Sequence, residues 1–367
     1  MIKIEIINKI AKQLKEDGVA CLMIAPNQEM KYIIGSKPYL CERFQALFIK
    51  DDGDFFYFCN ALTHDEATDF MEGHDVYSWH DSDGFEKLAL EVFTKHDLLN
   101  KKIAVNGAVR AFNLIKLQNA IPFIAVNGKD YLELARIIKT PEELDNLRKA
   151  ASIVDYAIEN IKTFIKVGMS EKEIDDEMIR LCKEGGCDAC DGGIVSISEH
   201  AAMPHYFGKS GIVKEHSIVL IDYGCTYKGM WSDITRCIFV GKASERERYI
   251  YNLVLQANLA GEKAAVDGAF IPDIDKAARK PIEEAGFGQY FNHRLGHGIG
   301  YAGHEAPYIH GDYPLYLKPG MAFSCEPGIY IKDEIGIRIE DIVIINEKGE
   351  TEVLNKVTKE LVEITGQ

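Results

Sequence analysis

Through the N-terminal third of the chain, apolar residues come in short runs of strand length separated by polar turns. Residues 19–25 form one such run. Residues 46–50 and 55–59 form two more, on either side of Asp51-Asp52-Gly53-Asp54, a hairpin signal. Residues 103–105 predict a further strand and 108–117 a helix after it, so this part reads as a small α/β unit. Within it, Asp81-Ser82-Asp83-Gly84 resembles the start of a calcium loop. Its glycine comes too early and no ladder of ligands follows, so a solvated turn is expected.

At Thr140 the period changes. Thr140-Pro141-Glu142-Glu143 is a capping box with proline at the first helical position. Leu144, Leu147, Ala151, Val154, Ile158, Ile161 and Ile165 then recur at helical spacing and draw one apolar face. Gly168 stops this helix, and Ser170-x-x-Glu173 caps a second that runs to about Gly185. A domain boundary near residue 128 follows, with domains 1–128 and 129–367. The same grammar then repeats: Ser244-x-x-Glu247 caps a long helix, Gly268 ends it, and another starts near Pro272, disturbed by Pro281. Asp222-x-Gly224 recurs as Glu326-x-Gly328 at the same offset, about a hundred residues. Two halves of helix, helix and strands imply a duplicated domain.

In the first half, residues 218–221 are β-rich and lead into Asp222. A hairpin turning at Tyr227-Lys228, beside Gly229, would set Asp222 directly opposite Asp233. In the second half, a turn at Lys332-Asp333-Glu334 would set Glu326 opposite Glu340. Acids on hairpins are commonly solvated, but both pairs adjoin apolar strands. Four carboxylates converging in an apolar setting repel one another and call for cations, one or two of them. His293, His297 and His304 punctuate a glycine-rich stretch between the pairs, and His205 stands alone at Met203-Pro204-His205-Tyr206. An imidazole among carboxylates suits Mn, Fe, Co or Zn better than Ca or Mg. Gly298-x-Gly300-x-x-Gly303 satisfies a dinucleotide fingerprint in letters only, because no buried strand leads into it.

The remaining composition narrows the class. Lys and Arg number 42 against 57 Asp and Glu, a net charge of −15, which argues against binding a phosphate backbone. No apolar run is long enough to span a bilayer, and the charged N-terminus is no signal peptide. Nine scattered cysteines form no disulfide framework, as in a cytoplasmic protein. Cys187-x-x-Cys190 offers a redox pair or half a zinc site, but no second such motif accompanies it, and unremarkable thiols are expected.

Five separated stretches together resemble one family: Ile221-Asp222-Tyr223-Gly224, Ser232-Asp233-Ile234-Thr235-Arg236, Gly296-His297-Gly298-Ile299-Gly300, Glu326-Pro327-Gly328-Ile329-Tyr330 and Gly336-Ile337-Arg338-Ile339-Glu340-Asp341. Their order and types resemble the pita-bread metallopeptidases, over residues 136 to 367. The preceding α/β unit points to the proline-specific branch, the Xaa-Pro dipeptidases (prolidases) and Xaa-Pro aminopeptidases. The resemblance implies an α/β N-terminal domain of creatinase type and an α+β pita-bread catalytic domain with an internal pseudo-two-fold. It implies two divalent ions, Mn²⁺ foremost and Co²⁺ or Zn²⁺ as alternatives, with Asp222, Asp233 and Glu340 on one ion. Asp233 and Glu340 bridge to the second, which His297 and Glu326 complete. Glu326 takes the nucleophile's proton, and His205 and His304 contact substrate and the tetrahedral intermediate. His293 corresponds to a pocket histidine, and Arg338 either approaches substrate or pairs with Glu340. The implied substrates are small proline-containing peptides, dipeptides before longer ones, and the implied assembly is a homodimer. Alternatives are an Xaa-Pro aminopeptidase, a creatinase-like non-peptide hydrolase, or a non-catalytic pita-bread binding protein. Residues 308–317 contain no arginine, where some prolidases use one to hold the proline carboxylate.

Overall fold

The hairpin expected across Asp51-Asp52-Gly53-Asp54 is present in the computed structural model, which describes residues 1–367. Ala46–Lys50 pairs antiparallel with Phe55–Asn60, and Gly53 takes the positive φ (88°) that the turn needs. These strands belong to a six-stranded mixed sheet ordered Val76–Trp79, Phe55–Asn60, Ala46–Lys50, Cys21–Ile24, Lys102–Val105, Ile124–Asn127. Its buried face carries Phe48, Phe56 and Phe58, with Phe48 stacked on Phe56 at 4.8 Å and Phe93 of the helix Glu86–Lys95 set edge-on against Phe48. The helix expected over 108–117 begins later and spans Ala111–Ala120. The intervening residues form a turn, with Val109 N–H donating to the Asn106 carbonyl at 3.2 Å. Asp81, in the turn that resembles a calcium loop, accepts from Arg43 Nη2 at 2.8 Å and from Asn60 at 2.9 Å. A guanidinium pairs with that acid.

The chain divides into two units, Met1–Arg136 and Ile137–Gln367. In the second, the repeated grammar becomes repeated structure. Pro141–Phe164 and Glu171–Glu184 form the first helix pair, Glu245–Ala264 and Ile271–Glu284 the second. Thr140, Ser170 and Ser244 each make the full capping box. Gly168 and Gly268 occupy equivalent turns at positive φ (94° and 75°). Pro281 does not break its helix, which continues to Glu284; sitting in the last turn, it deprives only one carbonyl of its donor.

The first half contributes three strands of a four-stranded sheet ordered Val362–Ile364, Ile234–Val240, Ile218–Tyr223, Ile194–Ile197, the first of these coming from the end of the chain. The second contributes a five-stranded sheet ordered Glu305–Ile309, Gly296–Gly298, Ala322–Cys325, Asp341–Ile345, Thr351–Val353. An isolated bridge between Thr235 and Glu340 joins them. Strand alternation explains how an acid reaches this junction. Val219 and Ile221 pack with Val154, Ile158 and Met178 of the first helix pair. Ile218 and Leu220 face the other way, and Asp222 shares their parity. An α/β N-terminal domain followed by a pseudo-two-fold α+β pita-bread domain is the architecture expected.

Candidate active site

The first acid pair lies where the hairpin from Ile218–Tyr223 to Ile234–Val240 ends. Its turn is Lys228-Gly229, not Tyr227-Lys228: both residues have positive φ (46° and 78°), and Tyr227 pairs with Met230. A two-residue turn of that hand matches the twist of the strands, and only a residue such as Gly229 accepts its second position readily. The register therefore moves on, and Asp222 pairs with Thr235 instead of Asp233. The shift is even, so Asp222 and Asp233 keep a common face. The Asp222 carboxylate is close enough to help push the Asp233 pKa up.

The second pair falls as expected. Gly328–Ile331 pairs with Ile335–Arg338 about Asp333 (φ 60°), and beyond them Cys325 pairs with Asp341. Both ladders share one register, which sets Glu326 across from Glu340 in the gap between them.

His297 is the middle residue of the short strand Gly296–Gly298. A Cβ at Gly296 would lie 1.8 Å from the Ser324 carbonyl oxygen, and one at Gly298 2.2 Å from that of Ala306. The glycines that imitate a nucleotide loop thus let backbones close around His297. Its Nδ1 faces the Gly298 carbonyl at 3.1 Å, so the proton belongs on Nδ1 and the Nε2 lone pair points toward Glu326, 3.4 Å away. Burial, reinforced by His304, holds the His297 pKa well below the usual histidine range. His304 stacks on it with ring centroids 3.7 Å apart. Arg294 Nη2 lies 3.1 Å from His304 Nδ1; a guanidinium only donates, so His304 keeps its proton on Nε2.

All nine candidates line one cavity of about 400 Å³: Asp222, Asp233, His297, Glu326, Glu340, His205, His293, His304 and Arg338, together with Pro204 and Arg294. Asp233, His297 and Glu340 offer ligand atoms within 4.8 Å of one another. Charge balance shows what this set lacks. Arg338 Nη2 pairs with Asp222 Oδ2 at 2.5 Å, which answers one acid of four. The other three make no ion pair with a lysine or arginine. Burial first, then neighbouring carboxylates, pushes Asp233 and Glu340 well above the ordinary carboxylate range. Burial likewise pushes Glu326 up to about 7. Glu340, 1% exposed, has one carboxylate oxygen with no hydrogen-bond partner. Acids stacked this way and a neutral imidazole with its lone pair inward fit divalent cations.

Arg338 does not pair with Glu340, the alternative that its position two residues away allowed. Its guanidinium is committed to Asp222, to Tyr330 Oη at 2.8 Å and to Thr235 Oγ1 at 3.0 Å. Thr235 in turn donates to Glu340 Oε2 at 2.6 Å. Tyr330 passes its proton toward His293 Nε2 at 3.1 Å, while His293 Nδ1 donates to the Arg294 carbonyl at 2.7 Å. Burial and Arg338 hold the His293 pKa down at about 4, so it accepts as a neutral ring.

Thr235, Tyr330, Arg294 and Glu171 are site residues that sequence reasoning assigned no role. Thr235 had a signal, since strand alternation puts it on the face of Asp233. Tyr330 and Arg294 had none, because their partners arrive from other segments. Glu171 is fully buried at the start of its helix. It accepts from Ile197 N at 2.9 Å, Gly211 N at 2.8 Å and His200 Nδ1 at 2.7 Å. It thereby ties down both ends of the segment that carries exposed His205.

Comparison with known proteins gives a family match for each unit of the chain. A family model described as metallopeptidase family M24 matches residues 145–347, and one described as Creatinase/Prolidase N-terminal domain matches residues 6–138. The chain is 32% identical over 348 residues to a Xaa-Pro dipeptidase of Lactobacillus delbrueckii subsp. lactis, covering 94% of this chain and 95% of that protein. Among solved structures, dipeptidase PepE from Mycobacterium ulcerans superposes with a TM-score of 0.91 at 32% identity, over 98% of this chain and 97% of that one. A recombinant prolidase from Thermococcus sibiricus gives 0.90 at 28% identity, over 98% of each chain.

Proposed function

The chain belongs to metallopeptidase family M24, and on that premise we propose that it is a dinuclear-metal Xaa-Pro dipeptidase, hydrolysing the bond before proline in small proline-containing peptides. The observation that carries this reading is one cavity lined by Asp222, Asp233, His297, Glu326 and Glu340, with three of the acids in no ion pair with a lysine or arginine. These five would hold two divalent ions, Mn²⁺ by preference and Co²⁺ or Zn²⁺ as alternatives. When bound, such ions supply a Lewis acid for the scissile carbonyl and bring the pKa of water toward neutrality.

The chain's own groups do the rest. Glu326, bordering the open cavity, takes the proton of the attacking water. His304, with its proton fixed on Nε2 by Arg294, donates to the oxygen on which charge develops, and His205 supplies a second donor from the facing segment. Arg338 and Tyr330 hold Asp222 and the neutral His293 in place. Arg294 makes no ion pair, and its guanidinium lies over the Tyr308 ring at 4.7 Å. It stands where residues 308–317 offer no arginine, and it is the cation available to a dipeptide's terminal carboxylate. A cytoplasmic homodimer completes the proposal. All nine cysteines are free, as suits a reducing compartment, and no helix is long and apolar enough to cross a membrane. Pairing is carried over from the family resemblance.

The test is kcat/KM for Xaa-Pro dipeptides against Xaa-Pro-Yaa peptides on the metal-loaded enzyme. Preference for the dipeptide by about tenfold or more, roughly 1.4 kcal/mol, is expected. Longer peptides cleaved equally well would make it an aminopeptidase, and no cleavage of either would remove the peptidase reading.

A further inference from the structure

Against the loop that carries His304 lies a buried ion pair to which the proposed function gives no role. Lys139 Nζ lies 2.8 Å from Glu305 Oε1, and both side chains are fully buried. Neither residue lines the active-site cavity. Removing two charges from water is costly even when they pair, so apolar residues would fill this place at least as well if packing alone were needed.

The surrounding geometry gives the pair a use. Glu305 directly follows His304 and opens the strand Glu305–Ile309, where it pairs with Gly298 of the strand that carries His297. Its Oε2 accepts from the Ala302 N–H at 3.2 Å, so the carboxylate reaches back past His304 to the loop before it. Within that loop Gly300 N–H donates to the Ala302 carbonyl at 3.2 Å, and the Gly300 carbonyl accepts from Trp231 N–H at 2.7 Å. Lys139 is fixed through its own backbone, whose N–H donates to the Gly320 carbonyl at 2.8 Å. A Cβ at Gly300 would lie 2.7 Å from Lys139 Cε and 2.9 Å from Glu305 Oε1. Glycine at 300 thus lets the loop close directly onto the ion pair.

We propose that Glu305 is a positioning residue for the peptidase reaction, with Lys139 as its anchor. One carboxylate oxygen holds the loop at Ala302 and the other holds Lys139, so the backbone is pinned on both sides of His304. That keeps the imidazole in its stack on His297, with the Nε2 proton free for the oxygen on which charge develops. The inference rests on the role given to His304 in the proposed function.

The test compares Glu305→Gln, Lys139→Met and the two changes together. Turnover is read on the Mn²⁺-loaded protein, and NMR on the Zn²⁺-loaded protein, which is diamagnetic. Each single change leaves one charge buried without its partner, whereas the double change removes both and keeps an acceptor for Ala302. In the single variants kcat for an Xaa-Pro dipeptide should fall about tenfold, with KM within about twofold and bound metal unchanged. The His304 imidazole resonances, assigned by their loss in His304→Ala, should shift or broaden. In the double variant kcat should return to within about threefold of the parent, and the His304 resonances to their parent positions. If the single variants fold poorly, Glu305→Asp keeps both charges, draws the carboxylate back from Ala302 by one methylene, and should give the same two changes. Unchanged His304 resonances in Glu305→Gln or Glu305→Asp, loss of metal, or a double variant no better than the singles would overturn the proposal. A parent that cleaves no peptide would defeat the peptidase reading, and the His304 resonances would still decide the positioning.

Discussion

Glu171→Gln is a sharp test of how the site is held, because the change is nearly isosteric and lies outside the acid cluster. The carboxylate is fully buried: Oε1 accepts from Ile197 N–H and His200 Nδ1, and Oε2 accepts from Gly211 N–H. An amide has one oxygen. Keeping it at the Oε1 position turns the NH₂ toward the Gly211 N–H and leaves that donor buried and unpaired, which costs about 1–3 kcal/mol. The two remaining bonds lose their charge assistance, roughly 1 kcal/mol each. The sum is about 3–5 kcal/mol, a large part of a typical domain's stability. The released segment carries His205, so turnover should fall about tenfold or more while bound metal stays constant. Urea unfolding, elemental analysis and dipeptide turnover on one preparation check this. Gly211→Ala should act likewise, since a Cβ there would meet Glu171 Oε1 at 2.4 Å. Stability within 1 kcal/mol of the parent and unchanged turnover would refute the reasoning.

Tyr330→Phe removes the hydroxyl between Arg338 and His293, and kcat/KM should fall about tenfold with metal content intact. Arg294→Met should lower kcat/KM for Xaa-Pro dipeptides about tenfold more than for Xaa-Pro-Yaa peptides; equal losses would place Arg294 with His304 alone. His96, stacked on Phe56 at 4.1 Å, has its pKa lowered by burial, so the folded state keeps it neutral where the unfolded chain takes up a proton. Stability of the unit Met1–Arg136 should therefore be full above a pH of about 6.5 and fall as pH drops below it, and His96→Gln should flatten the dependence in thermal melts.

Much of this was legible in the sequence because it is local. Thr140, Ser170 and Ser244 begin helices through contacts three residues away, and the Lys332-Asp333-Glu334 turn sets its own register. The first hairpin was misread by one turn position because the choice rests on positive φ at Lys228 as well as Gly229, and lysine does not advertise it. The acids kept a common face all the same, since strand parity survives an even shift. The contacts that complete the site were out of reach. Arg338 to Asp222 and Arg294 to His304 join segments that only the tertiary fold brings together.

The central claim is that Asp222, Asp233, His297, Glu326 and Glu340 hold catalytic metal while His304 acts on substrate. Elemental analysis and dipeptide turnover measured together on the parent, Asp233→Ala and His304→Ala test it most directly. The parent should bind two divalent ions per chain and lose turnover to a chelator, with Mn²⁺ or Co²⁺ restoring it. Asp233→Ala should lose metal and activity together, and His304→Ala should keep its metal while turnover drops by about 10²–10³. Full activity in metal-free protein, or metal loss in His304→Ala equal to that in Asp233→Ala, would contradict the assignment.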